Sequence, residues 1–262
     1  MPALFESLSF RRGPAMKNRF MLAPLTNQQS HADGVLSDDE FRWLTMRAEG
    51  GFGLTMTCAA SVQDGGQGFP GQLGAHDDRH IPGLARLASA LRAQETHAVL
   101  QLHHAGMRSP ATLIGRQPLC PSANAETNAR AMTLAEIEQT RDDFIAAARR
   151  CERAGFDGVQ LHGAHGYLLC QFLSPEINRR DDQYGGSLEN RSRLLFEIID
   201  GVRASCGPNF SLGVRLSPER FGLKLEEIAT VAQRLMREDN IEYLDMSLWD
   251  VFKEPEDAAH KG

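Results

Sequence analysis

Short apolar, β-prone stretches recur along the chain at Arg19 to Ala23, Leu54 to Ala59, Ala98 to Leu102, Gly158 to His162, Ser211 to Leu216 and Tyr243 to Met246. Near-continuous apolar runs of this length predict strands buried on both faces. Between them, apolar residues return with a period near 3.6, which predicts helices that bury one stripe. Several helix ends are marked. Ser37 and Glu40 have the spacing of a capping box ahead of Phe41, Leu44 and Ala48, and Gly50-Gly51 supplies a left-handed stop. Thr133 and Glu136 repeat the box before Ile137, Phe144, Ala148 and Cys151, with Gly155 where a C-terminal cap belongs. Ser187 caps a stripe of Leu188, Leu195, Ile198, Ile199 and Val202, and Ile228, Val231 and Leu235 form the last stripe.

Strand and helix therefore alternate, which predicts an α/β fold built on a parallel sheet with crossover helices. A (β/α)8 TIM barrel takes eight such units in roughly 250 residues. Six are counted here, so residues 1–262 read as a single, incomplete TIM-barrel domain with long loops. No low-complexity tract or linker divides it. The segment after Met246 is polar and strand-poor. A parallel sheet that stops at six strands has two raw edges, for which a partner chain such as a homo-oligomer, a domain swap or plain truncation must account.

Composition narrows the function classes. The formal charge of −6 gives no electrostatic footprint for nucleic acid. No apolar run approaches about 18 residues, so no membrane span is expected. The opening residues lack a continuous apolar core and a small-residue cleavage site, which makes the cytoplasm the expected location. Five cysteines, widely spaced and odd in number, predict spectator thiols rather than a disulfide framework or a CxxC site.

The densest chemistry is Leu161-His162-Gly163-Ala164-His165-Gly166-Tyr167-Leu168, at the carboxyl end of the fourth predicted strand. Barrel active sites are built at that end. Two imidazoles three residues apart on a strand-to-helix turn can converge on one oxygen, and Tyr167 can stand over the same space as a proton donor. Gln101, at the end of the third strand, has both an amide donor and an acceptor, which suits a heterocycle edge bearing C=O and N–H groups. Pro24, Leu25 and Thr26 at the first strand's end offer a floor for a flat ring. Arg215 places a guanidinium among apolar residues, where an anionic partner is expected, either a ligand or a structural carboxylate.

The motifs then align in order. Lys17-Asn18-Arg19-Phe20 with Ala23-Pro24-Leu25-Thr26, Gln101-Leu102-His103-His104-Ala105-Gly106, and Ala154-Gly155-Phe156-Asp157-Gly158-Val159 are followed by the run from His162 to Leu168. Phe172-Leu173-Ser174-Pro175, Asn178-Arg179-Arg180 and Tyr184-Gly185-Gly186-Ser187-Leu188-Glu189-Asn190-Arg191 complete the set. In these motifs the chain resembles the Old Yellow Enzyme family of FMN-dependent ene-reductases. The resemblance implies FMN as cofactor, NAD(P)H as reductant and an enone or enal as substrate. It places Pro24, Leu25, Thr26 and Ala60 against the flavin, Gln101 at its pyrimidine edge and Arg215 at N1 and O2. His162 and His165 are implied as donors to the substrate carbonyl, and Tyr167 as the acid that protonates the α-carbon. The family's phosphate-binding loops follow the seventh and eighth strands, beyond residue 262. Thr26 resembles one branch of the family, whereas HxxH resembles the other.

Three other readings remain at this point. One is the barrel portion of a larger FMN and iron–sulfur relative of the dienoyl-CoA reductase or trimethylamine dehydrogenase kind. Another is a flavin-free truncated paralogue without activity. The third is a metal-dependent hydrolase with His103, His104, His162, His165 and Asp245 as ligands.

Overall fold

The computed structural model describes residues 3–248, 250–256 and 258–261. In chain order the elements are β1 (Met21–Leu22), α1 (Asp38–Glu49), β2 (Leu54–Ser61), α2 (Ile81–Arg92), β3 (His97–His103) and α3 (Ala111–Ile114). Next come β4 (Leu119–Cys120), β5 (Arg130–Ala131), α4 (Leu134–Arg153), β6 (Gly158–Gly163), α5 (Leu168–Leu173), α6 (Leu188–Ser205), β7 (Ser211–Leu216), α7 (Leu225–Arg237) and β8 (Tyr243–Met246). Six strands form one parallel sheet in the order β1-β2-β3-β6-β7-β8, the wall of a partial TIM barrel. The short β4 and β5 pair by themselves in the long β3-to-α4 connection, an excursion the periodicity did not indicate.

All six predicted strands are present, but the first is shorter than the sequence suggests. Only Met21 and Leu22 pair with β2, at Leu54 and Thr55. Pro24 has no N–H to extend the ladder. Helix ends follow the caps closely: Thr133 and Glu136 make a full capping box, Ser187 accepts from the Asn190 N–H, and Gly51 and Gly155 take positive φ. At α1 the box is only half made. Ser37 Oγ accepts from the Glu40 N–H, but the Glu40 side chain turns into the protein, where it meets Ser30 Oγ and the Cys58 thiol.

The main core lies between sheet and helices, with Leu44, Leu84, Leu100, Phe144, Ile198 and Leu212 completely buried. Each such side chain contributes on the order of 1.5–3 kcal/mol of transfer free energy. A second cluster sits inside the wall at the amino ends of the strands. There Met16, Leu54, Met56 and Val99 pack with Leu8, Phe10, Met21 and Tyr243. An antiparallel bridge joins Leu8 to Met16 and closes the loop between them. Alternation along β3 then sends Val99 inward below, Gln101 above it and His103 at the top, while Ala98, Leu100 and Leu102 face the helices. The interior is thus apolar at the bottom and polar at the carboxyl ends, where the candidate residues collect.

Candidate active site

Pro24, Leu25, Thr26, Gln101, His162, His165, Tyr167 and Arg215 line one cavity of about 350 Å³ at the carboxyl ends of the strands, together with Ala59 and Phe69. Eight of the nine sequence-predicted site residues therefore converge. The exception is Ala60, which is fully buried against the helices. The reason is a bulge in β2: the register with β3 shifts between Met56 and Ala59, so inward parity passes to Ala59, opposite Gln101. Strict alternation from inward-facing Met56 carries Ala60 inward instead. Phe69, on the loop after β2, was not singled out because an aromatic in an irregular loop carries no periodic signal.

The HxxHxY turn is held in an unusual backbone. His165 has φ of 60° and Gly166 of 70°. A left-handed histidine is a strained conformation costing on the order of 1 kcal/mol or more, and it is fixed at both ends. Its N–H donates to Ser217 Oγ at 3.0 Å, and Arg108 donates to its carbonyl. Tyr167 caps α5, with its ring edge-on to His103 at 4.3 Å between centroids and to His162 at 5.0 Å, and with the Arg108 guanidinium 4.8 Å from its ring centre.

The hydrogen bonds assign the imidazole tautomers. The Ala164 N–H donates to His162 Nδ1 at 3.3 Å, so the His162 proton resides on Nε2, which lies 3.3 Å from His165 Nδ1. His165 then carries its proton on Nε2 and donates to Ser247 Oγ at 2.6 Å. Both rings are neutral at neutral pH. Burial, aided by the neighbouring imidazoles and Arg215, pushes His162 well below the ordinary range, and burial with Arg215 and Arg108 lowers His165 to about 4.

Arg215 is the cavity's one permanent charge among its lining residues. Its Nε lies 3.3 Å from Asp245 Oδ2 but is buried without an aligned hydrogen bond. The guanidinium also makes two long contacts, to the Pro24 carbonyl at 3.5 Å and to Ser247 Oγ at 3.4 Å. The anionic partner expected for Arg215 is thus Asp245, and much donor capacity stays open. Gln101 Nε2 donates to Gln160 Oε1 at 2.7 Å, which leaves Gln101 Oε1 as an acceptor at the cavity wall.

His103 and His104 do not join a metal set. His103 Nδ1 contacts Gln72 at 3.0 Å, while His104 is bound at both nitrogens, by the Gly106 N–H and by Gln63 Oε1. Burial drives both rings to about 3. Among the described residues no three His, Cys, Asp or Glu side chains gather as metal ligands. All five cysteines are free thiols. No helix among the described residues is long and apolar enough to cross a membrane.

These residues fit a flavin. An acceptor at Gln101, an under-used guanidinium at Arg215, an exposed Thr26 hydroxyl and the donor-less Pro24 suit an imide edge, an electron-rich N1/O2 edge and a flat ring. Comparisons agree. The probable NADH-dependent flavin oxidoreductase YqiG of Bacillus subtilis is 39% identical over 259 residues, covering 95% of this chain and 69% of its own length. The NADH:fumarate oxidoreductase of Klebsiella pneumoniae is 34% identical over 94% of this chain, which spans only 28% of that longer protein. An old yellow enzyme homologue from Zymomonas mobilis superposes with a TM-score of 0.86 at 33% identity, over 94% of this chain and 73% of that one. A profile of the NADH:flavin oxidoreductase / NADH oxidase family matches residues 3–258, and the chain belongs to that family of FMN-dependent, NAD(P)H-linked oxidoreductases.

Proposed function

We propose that the chain reduces the C=C bond of α,β-unsaturated carbonyl compounds, small enones or enals, with hydride drawn from NAD(P)H. The observation that carries this reading is the placement of two neutral imidazoles and a phenol on one wall of the cavity whose other walls fit a flavin. When bound, FMN supplies a two-electron carrier that takes hydride from the nicotinamide and passes it to the alkene.

The chain's own residues do the rest. His162 Nε2–H and His165 offer N–H donors to a carbonyl oxygen, which draws electron density from the β-carbon. Because both rings are neutral, they bind the oxygen as donors without surrendering a proton to it. Tyr167 O–H, on the same cavity, then delivers a proton to the α-carbon. Arg215 would offset the negative charge of a reduced flavin, and Thr26 would present its hydroxyl to the ring from the same cavity. Phe69 and Leu25 add apolar surface to the same cavity.

The test is anaerobic oxidation of NADPH or NADH by the chain loaded with FMN, with and without 2-cyclohexenone. Enone-dependent oxidation with formation of cyclohexanone supports the reading; reductant oxidation indifferent to enone contradicts it. A second reading, the barrel portion of a larger flavin and iron–sulfur relative, draws on the length of the Klebsiella protein. Iron content of the protein isolated from its native source separates the two.

A further inference from the structure

Gln101, Gln160, Asp245 and Arg215 form a continuous polar chain across the inside of the wall, just below the cavity. Gln101 and Gln160 are register partners on β3 and β6, and Arg215 and Asp245 are partners on β7 and β8. The link between the two pairs passes over β7, where Gln160's own partner is Gly213. A side chain there is impossible: a Cβ on Gly213 would stand 2.3 Å from the Tyr243 ring. Gln160 is fully buried, and its Nε2 reaches Asp245 Oδ2 at 3.2 Å while its Oε1 accepts from Gln101 Nε2 at 2.7 Å.

The direction of this chain is fixed by one residue. An ionised carboxylate only accepts hydrogen bonds, so Asp245 forces the Gln160 amide to turn its NH2 toward β8. The Gln160 oxygen then faces Gln101 and forces that amide to turn its NH2 inward. Gln101 is left with an oxygen, never an NH2, toward the cavity. The same carboxylate lies 3.3 Å from Arg215 Nε and offsets part of the charge that the guanidinium presents.

We propose that Asp245 is a positioning residue with two effects at one ring: through Gln160 it makes Gln101 an obligate acceptor for an imide N–H, and through Arg215 it lowers the potential of the flavin. The inference rests on the functional reading above. It assigns ligand discrimination to residues that need not touch the ligand, and it converts Asp245 from a candidate metal ligand into part of the cofactor frame.

The test compares the parent with Asp245→Asn and Gln160→Leu, by fluorescence titration with FMN and with its N3-methyl analogue, and by dye-coupled potentiometry. The parent should prefer FMN over the N3-methyl compound by tenfold or more beyond the preference of the two variants, because in both the Gln101 amide is free to turn. Only Asp245→Asn should raise the midpoint potential, by about 30 mV, equivalent to a tenfold gain in the reduced-to-oxidised ratio for a two-electron couple. Thermal melts confirm that the variants fold, and a variant that does not is replaced by Gln160→Met. If the parent binds FMN but Asp245→Asn keeps both the discrimination and the potential, this inference fails alone. If the parent binds neither compound, the functional reading fails and takes the inference with it.

Discussion

His162 Nε2 lies 3.3 Å from His165 Nδ1, so the two imidazoles that face the cavity are hydrogen-bonded to each other. The pair is closed on itself: the backbone of Ala164 occupies the far nitrogen of one ring and Ser247 the far nitrogen of the other. An incoming oxygen must therefore exchange an existing contact for a new one, and binding strength depends on both rings turning together.

Replacing both His162 and His165 by Ala should weaken binding of a phenol such as p-hydroxybenzaldehyde by about 30-fold, the equivalent of two hydrogen bonds of about 1 kcal/mol each. Titration of the flavin absorption band reads this directly. Unchanged phenol affinity in a folded double variant removes the pair from the site.

Tyr167→Phe should slow re-oxidation by enone by on the order of 10²-fold or more while leaving reduction by NAD(P)H within about twofold, since only the re-oxidation step consumes its proton. Stopped-flow traces of the two half-reactions separate the outcomes. An equal loss in both would assign the ring a packing role, which its contacts with His103 and Arg108 also allow.

Stability should fall in mild acid. His103 and His104 are held to about 3, and His80 and His165 to about 4, chiefly by burial. Their unfolded value is about 6.5, so as pH drops below it the unfolded chain binds protons that the folded chain refuses. The folded state is favoured fully above about pH 6.5 and loses that advantage progressively toward pH 3–4. Urea unfolding from pH 7.5 to 4 should show it, with a shallower slope in His104→Gln; a flat profile would contradict the buried neutral imidazoles.

Glu40→Ala should destabilise the fold by about 3 kcal/mol, because it leaves Ser30 and Cys58 buried opposite a void. Replacement of Glu49, at the other end of the same helix and exposed, should change stability by less than about 0.5 kcal/mol. Paired urea titrations give the comparison.

Glu40 also shows where the sequence misleads. Its spacing from Ser37 is that of a capping box, and nothing local distinguishes it from Glu136, which does close one. The difference is tertiary: Cys58 reaches Glu40 across the α1–β2 packing, and Ser30 reaches it from the loop before α1. The six strands and the strand-end location of the HxxHxY turn were legible because apolar runs and caps are local signals. The inward face of β2 was not, since a bulge resets alternation without any glycine or proline to mark it. Arg215 was legible as a charge in need of a partner, but Asp245 was not legible as that partner, because register between β7 and β8 is set by the whole sheet. Ser247 and Gln160 were missed for the same reason: their roles exist only once four strands are side by side.

Whether this cavity holds a flavin is read from the visible absorption spectrum of the purified chain after incubation with excess FMN and desalting. A retained flavin spectrum with resolved vibrational structure in its visible band, and a further shift on adding p-hydroxybenzaldehyde, is expected. A colourless protein, with all the FMN eluting free, would contradict it.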